Sequence, residues 1–146
     1  MRAKIAFVVV ALLFSLPALA AKDQVFFTDA GAIRGYDPVA YFTEKRPVKG
    51  DPGITHSWNG ATWYFSKEEN RAVFVSAPEK YAPAYGGYCA YAVANGYTAT
   101  TDPEAWSVVN GRLYLNFSQG VKQRWEKNIS GYIKKADVNW PEVLKK

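Results

Sequence analysis

The chain holds one cysteine, one histidine and one methionine in 146 residues. With Cys89 alone no internal disulfide can form, and dithiol exchange, which needs a second resolving thiol, is excluded. A closed structural zinc site takes four ligands, mainly cysteine and histidine, so Cys89 and His56 cannot complete one without carboxylates. No phosphate-cradling loop is present, since Gly86-Gly87 is followed by Tyr88 and Cys89 instead of a lysine and a hydroxyl. The adjacent carboxylates Glu68 and Glu69 fall in a predicted first helical turn, where they answer the helix dipole and need no catalytic explanation. Only one long apolar run exists, Ile5 to Leu16, and it is shorter than the roughly 20 residues a stable membrane span requires.

That run follows Arg2 and Lys4 and precedes Pro17 and Ala18-Leu19-Ala20, the layout of a cleaved secretory signal. The expectation is a signal peptide over residues 1–20, cleavage after Ala20, no stable membrane anchor, and a periplasmic protein of one domain over residues 21–146. Losing Arg2 and Lys4 takes two charges from the formal +5. The remaining cations include Lys122, Arg124, Lys127, Lys134 and Lys135, interspersed with Glu126 and Asp137. They read as a solvated helical face, so no nucleic-acid partner is expected. An unpaired thiol in an oxidising compartment is unusual, which makes Cys89 the first residue to explain.

What the chain does have is apolar and aromatic content, 49% and 16%, enough for one globular core. It also matches itself at an offset of roughly 51–52 residues. Gly35-Tyr36-Asp37 aligns with Gly87-Tyr88-Cys89, Asn59-Gly60 with Asn110-Gly111, Phe65-Ser66 with Phe117-Ser118, Phe74 with Trp125, and Tyr81 with Tyr132. Each Asn-Gly lies between runs of β-formers and predicts a two-residue hairpin, because a type I′ turn demands positive φ at both central positions. Ser66 and Glu69 stand at capping-box spacing before a helix ending near Ser76. Ala77-Pro78 breaks that helix and opens a short turn through Tyr81. Asp37-Pro38 predicts a helical turn over 38–42, and Ser118 a helix carrying Val121 and Trp125 on one face and ending near Asn128. The expected fold is α+β: two duplicated hairpin-plus-helix units, about residues 35–81 and 87–132, packed about a pseudo-twofold axis into one compact domain.

The stretch Asp37-Pro38-Val39-Ala40, then Trp58-Asn59-Gly60-Ala61-Thr62-Trp63-Tyr64-Phe65-Ser66, Phe74, and Ala77-Pro78-Glu79-Lys80-Tyr81 resembles the YHS-domain family. The resemblance spans about residues 32–141 and points to the exported single-domain bacterial branch. It implies an association with metal or redox biology. The cysteines through which metal-handling members bind fall here on Ala40, Ser66 and Asn70, none a soft ligand, so that multi-cysteine site is not inherited. The exported branch includes proposed selenoproteins, and a selenocysteine at the position of Cys89 would favour a working chalcogen there.

Cys89 and His56 are the only soft ligands left after residue 20. Cu(I), which accepts few ligands and prefers thiolate and imidazole, suits that pair. The leading expectation is therefore a non-enzymatic metal-binding protein, with copper held by Cys89 and His56. Two alternatives stand beside it. One is a thiol-dependent redox protein or enzyme centred on Cys89, and the other a metal-free module for a ligand or protein. Tyr81, Tyr85, Tyr88, Tyr91 and Tyr97 would line a pocket or patch in the latter case.

Overall fold

The computed structural model describes residues 9–16 and 20–146. Most of the residues behind the signal-peptide expectation, 1–8 and 17–19, lie outside the described residues. Among those described, no helix is long and apolar enough to cross a membrane.

The architecture is α+β, with three two-stranded antiparallel hairpins and six helices among the described residues. The first hairpin, β1 (Phe27–Thr28) and β2 (Gly31–Ala32), leads through a 3₁₀ turn to α1 (Ala40–Thr43). Next come β3 (Asp51–Trp58), β4 (Ala61–Phe65), α2 (Glu68–Ser76) and α3 (Pro78–Tyr81). A second 3₁₀ turn, Ala84–Gly87, precedes α4 (Ala90–Ala94), β5 (Trp106–Val109), β6 (Arg112–Leu115), α5 (Gln119–Glu126) and α6 (Ile129–Asn139).

Both predicted Asn-Gly turns form. Asn59 and Gly60 have φ of 50° and 79°, Asn110 and Gly111 50° and 77°, and the closing pairs are Trp58–Ala61 and Val109–Arg112. Ser118 caps α5 by accepting the Val121 N–H at 3.1 Å, and Pro78 opens α3 as expected. The β1–β2 hairpin and α6 were not anticipated. Helix α6 starts on Asn128, whose Oδ1 accepts the Gly131 N–H, and its Ile129, Tyr132, Ile133 and Ala136 follow i, i+3, i+4, i+7 spacing onto one core.

One expectation needs correcting. Ser66 does not cap α2, which starts one residue later with Lys67 at its N-cap and no side-chain cap. Its hydroxyl instead donates to Asp37 Oδ2 at 2.8 Å. A buried carboxylate offers a charge-assisted bond that a helix N–H does not match.

Two apolar clusters result. One gathers Val39, Tyr41, Trp63, Phe65 and Phe74, and the other Tyr85, Val93, Tyr114, Trp125 and Ala136. Strand β6 joins them, because its period-two alternation sends Leu113 and Leu115 into the first cluster and Tyr114 into the second. Within the first cluster Tyr41 donates its hydroxyl to Pro103 O at 2.8 Å and places its ring 5.4 Å from that of Trp106.

Candidate functional site

Cys89 lies between the second 3₁₀ turn and α4 and is buried, at 1% exposure. Its own N–H donates to Ala99 O at 3.0 Å, which anchors the backbone to the loop before β5. The sulfur accepts the Phe117 N–H at 3.3 Å and donates, at 3.5 Å, towards Asn116 Oδ1. Asn116, fully buried just after β6, also accepts the Tyr91 N–H at 3.0 Å. That bond orients the amide, and it leaves Asn116 Nδ2 buried without a hydrogen-bond partner among the described residues. A buried donor left unpaired costs about 1–3 kcal/mol, so Asn116 Nδ2 has unused capacity for one acceptor.

Burial pushes the Cys89 thiol up, while the N–H groups of Ala92, Phe117 and Tyr91 pull the other way by favouring the thiolate. Opposed effects of this kind keep the sulfur protonated at neutral pH yet surrounded by groups that welcome negative charge.

Asp37 has a parallel setting at the start of α1. It is fully buried, and its Oδ1 accepts the Val39 and Ala40 N–H groups at 2.9 and 3.3 Å. Its Oδ2 accepts the Ser66 N–H, the Ser66 hydroxyl and Asn70 Nδ2, each at 2.8 Å. Ala40, Ser66 and Asn70 thus all converge on Asp37. They meet it as hydrogen-bond donors, and the carboxylate has its lone pairs occupied.

His56 stands on β3 opposite Trp63, with its ring edge-on to Phe74 at 6.4 Å between centroids. Its contacts belong to the first cluster, whereas the hydrogen-bond partners of Cys89 come from the loop before β5 and the residues after β6. No hydrogen bond links the two. Among the described residues, no group of three or more His, Cys, Asp or Glu side chains gathers as metal donors. Asn116 and the hub role of Asp37 escaped the sequence reading. A signal was present in the first case, an amide closing the apolar run Leu113-Tyr114-Leu115.

Burial also pushes up the hydroxyls of Tyr41, Tyr85, Tyr88 and Tyr114. A thiol or phenol raised in the folded state keeps its proton where the unfolded chain has lost it. Stability is then full below the unfolded values, about 8.5 for the thiol and about 10 for the phenols, and is lost as pH rises through them towards the raised folded ones. The thermal midpoint is expected to fall in two stages on alkaline titration, with Cys89→Ala removing the earlier one. A midpoint level to about pH 11 would contradict this.

Compared with known proteins, the chain matches no family model, no curated protein and no solved structure.

Proposed function

We propose that this chain is an exported, periplasmic protein of the YHS type whose working group is the Cys89 thiol, engaged in single-thiol redox chemistry. The observation that carries the reading is the niche around the sulfur. It presents the Phe117 N–H to Sγ and an unused buried amide donor on Asn116. N–H donors stabilise electron density on sulfur and on any oxygen added to it.

The internal duplication we infer from the sequence offset fits the same reading. The offset that aligns Asn59-Gly60 with Asn110-Gly111 sets Ser66 against Phe117, one residue out of step with the Phe65-Ser66 to Phe117-Ser118 match, and the N–H groups of Ser66 and Phe117 reach Asp37 and Cys89. On this reading Cys89 takes the place that a carboxylate holds in the first unit, so the niche descends from an anion cap. The convergence of Ala40, Ser66 and Asn70 on Asp37 supports the YHS resemblance, because those positions must meet if family members bind metal through them.

The reaction to test is with hydrogen peroxide. Sulfur attacks one peroxide oxygen, the O–O bond breaks as the S–O bond forms, and the thiol proton leaves with the second oxygen as water. The thiol is oxidised to sulfenic acid and the peroxide reduced. Intact-mass analysis of the native protein should show one oxygen gained at Cys89 and lost again on adding a thiol reductant. The thermal midpoint should rise on oxidation, because the new oxygen accepts from Asn116 Nδ2. An unmodified Cys89, or a lower midpoint, defeats the proposal. Cu(I) retained against a chelator by the wild type and lost in Cys89→Ser would instead establish copper binding, and loss in His56→Ala as well would make His56 the second ligand.

A further inference from the structure

We propose a second site, independent of Cys89: a cleft on the seam between the two apolar clusters that binds a small zwitterion carrying an alkylated ammonium group and a carboxylate. The cleft has a volume of about 410 Å³, within the roughly 300–1,000 Å³ of small-molecule pockets, and its lining is drawn from both apolar clusters. One wall is the Trp58–Trp63 pair, with ring centroids 5.8 Å apart. The other is the Tyr85–Trp140 pair, at 6.0 Å. The first pair belongs to the first cluster and the second pair to the other.

The polar ends of the two buried rings are already engaged. Trp63 Nε1 donates to Trp58 O at 3.0 Å, and the Tyr85 hydroxyl donates to Asp137 Oδ1 at 2.9 Å. Trp63 and Tyr85 are themselves closed off and back the walls, so the aromatic surface left to a ligand is that of the half-buried Trp58 and Trp140, which attracts cations that have little hydration to lose. Alkylation of an ammonium removes most of that hydration.

Two opposite charges complete the lining. Glu79 on α3 and Arg112 on β6 both face solvent along the cleft, and neither enters an ion pair among the described residues. Arg112 is steadied by its guanidinium lying 5.9 Å from the Tyr114 ring centroid. A carboxylate beside aromatic rings suits the ammonium, and the guanidinium suits the ligand's carboxylate. A ligand with one charge would leave the other residue unmatched.

The lining backbone is set firmly. Gly86 has φ of 62°, and a Cβ there would overlap Gln24 O, so the segment carrying Gln24 and Val25 lies directly across this glycine. The Phe26 N–H closes the contact by donating to Gly86 O at 2.9 Å.

The probes are trimethylglycine, choline and acetate, titrated into the protein by calorimetry and by tryptophan fluorescence. Trimethylglycine should bind saturably with a dissociation constant at or below about 1 mM, choline about tenfold more weakly, and acetate not measurably. Glu79→Gln should weaken both cationic probes about tenfold, while Arg112→Gln should weaken trimethylglycine alone and bring it level with choline. Both side chains are exposed, so circular dichroism and the thermal midpoint should stay at wild-type values. Cys89→Ser should bind as the wild type does, which separates this site from the thiol. No saturable binding of trimethylglycine, or binding indifferent to both charge variants, overturns the proposal.

Discussion

Replacing Asp37 with alanine is expected to lower the unfolding free energy by about 3–5 kcal/mol, since several buried donors lose their acceptor at a cost of about 1–3 kcal/mol each, partly relieved by relaxation. The carboxylate accepts hydrogen bonds from the backbone of Val39, Ala40 and Ser66 and from the side chains of Ser66 and Asn70, all at 2.8 to 3.3 Å. With alanine there, those donors stay at a site that is 0% exposed and lose their acceptor. The links from α1 to the end of β4 and the start of α2 would go with them. Asp37→Asn keeps one oxygen acceptor but turns an amide N–H₂ towards existing donors, so it should recover only part of the loss. Urea denaturation of the three proteins measures this. A loss below about 1 kcal/mol in Asp37→Ala would show that the network is not a stabilising hub.

A comparable loss, about 3–5 kcal/mol, is expected for Trp63→Ala. Trp63 is fully buried on β4, and its ring lies 5.8 Å from Trp58 and 5.0 Å from Phe74. Truncation leaves a cavity at the centre of the first cluster and frees Trp58 O from the indole N–H it accepts. The denaturant slope should stay at the wild-type value, since the cooperative unit is unchanged. Trp63→Phe, which keeps most of the volume, should lose less. Equal stability of Trp63→Ala and wild type would mean that the first cluster can collapse around the gap.

How much of this was readable beforehand depended on how far each choice reaches along the chain. The Asn-Gly turns are decided within four residues by backbone sterics, and both formed with two-residue closure. The Ser118 cap and the Pro78 helix start are equally local, and both are found where the residues place them. Ser66 shows where such reasoning stops. Its spacing to Glu69 is that of a capping box, but Asp37, 29 residues earlier, takes its hydroxyl. A local rule holds only while no stronger acceptor arrives from elsewhere.

The same distinction governs the candidate site. Composition alone singled out Cys89 and His56, because no other soft ligand follows residue 20. It could not say what surrounds them, since their neighbours are set by contacts across many residues. Phe117, 28 residues away, supplies the N–H to Sγ, and Asn116 brings the amide, while His56 turns to Phe74 within its own hairpin-and-helix unit.

The sequence by itself determined the elements whose signals are local: the two I′ turns, the helix after each hairpin, the proline break and the single thiol. Only the tertiary structure decided that β6 would serve both clusters, that Asp37 would gather Ser66 and Asn70, and that Asn116 would reach Cys89 with an unused donor. The physical reason is that hydrophobic burial is nondirectional and leaves the choice of partner face open, whereas a turn or a cap is settled by the stereochemistry of a few adjacent residues.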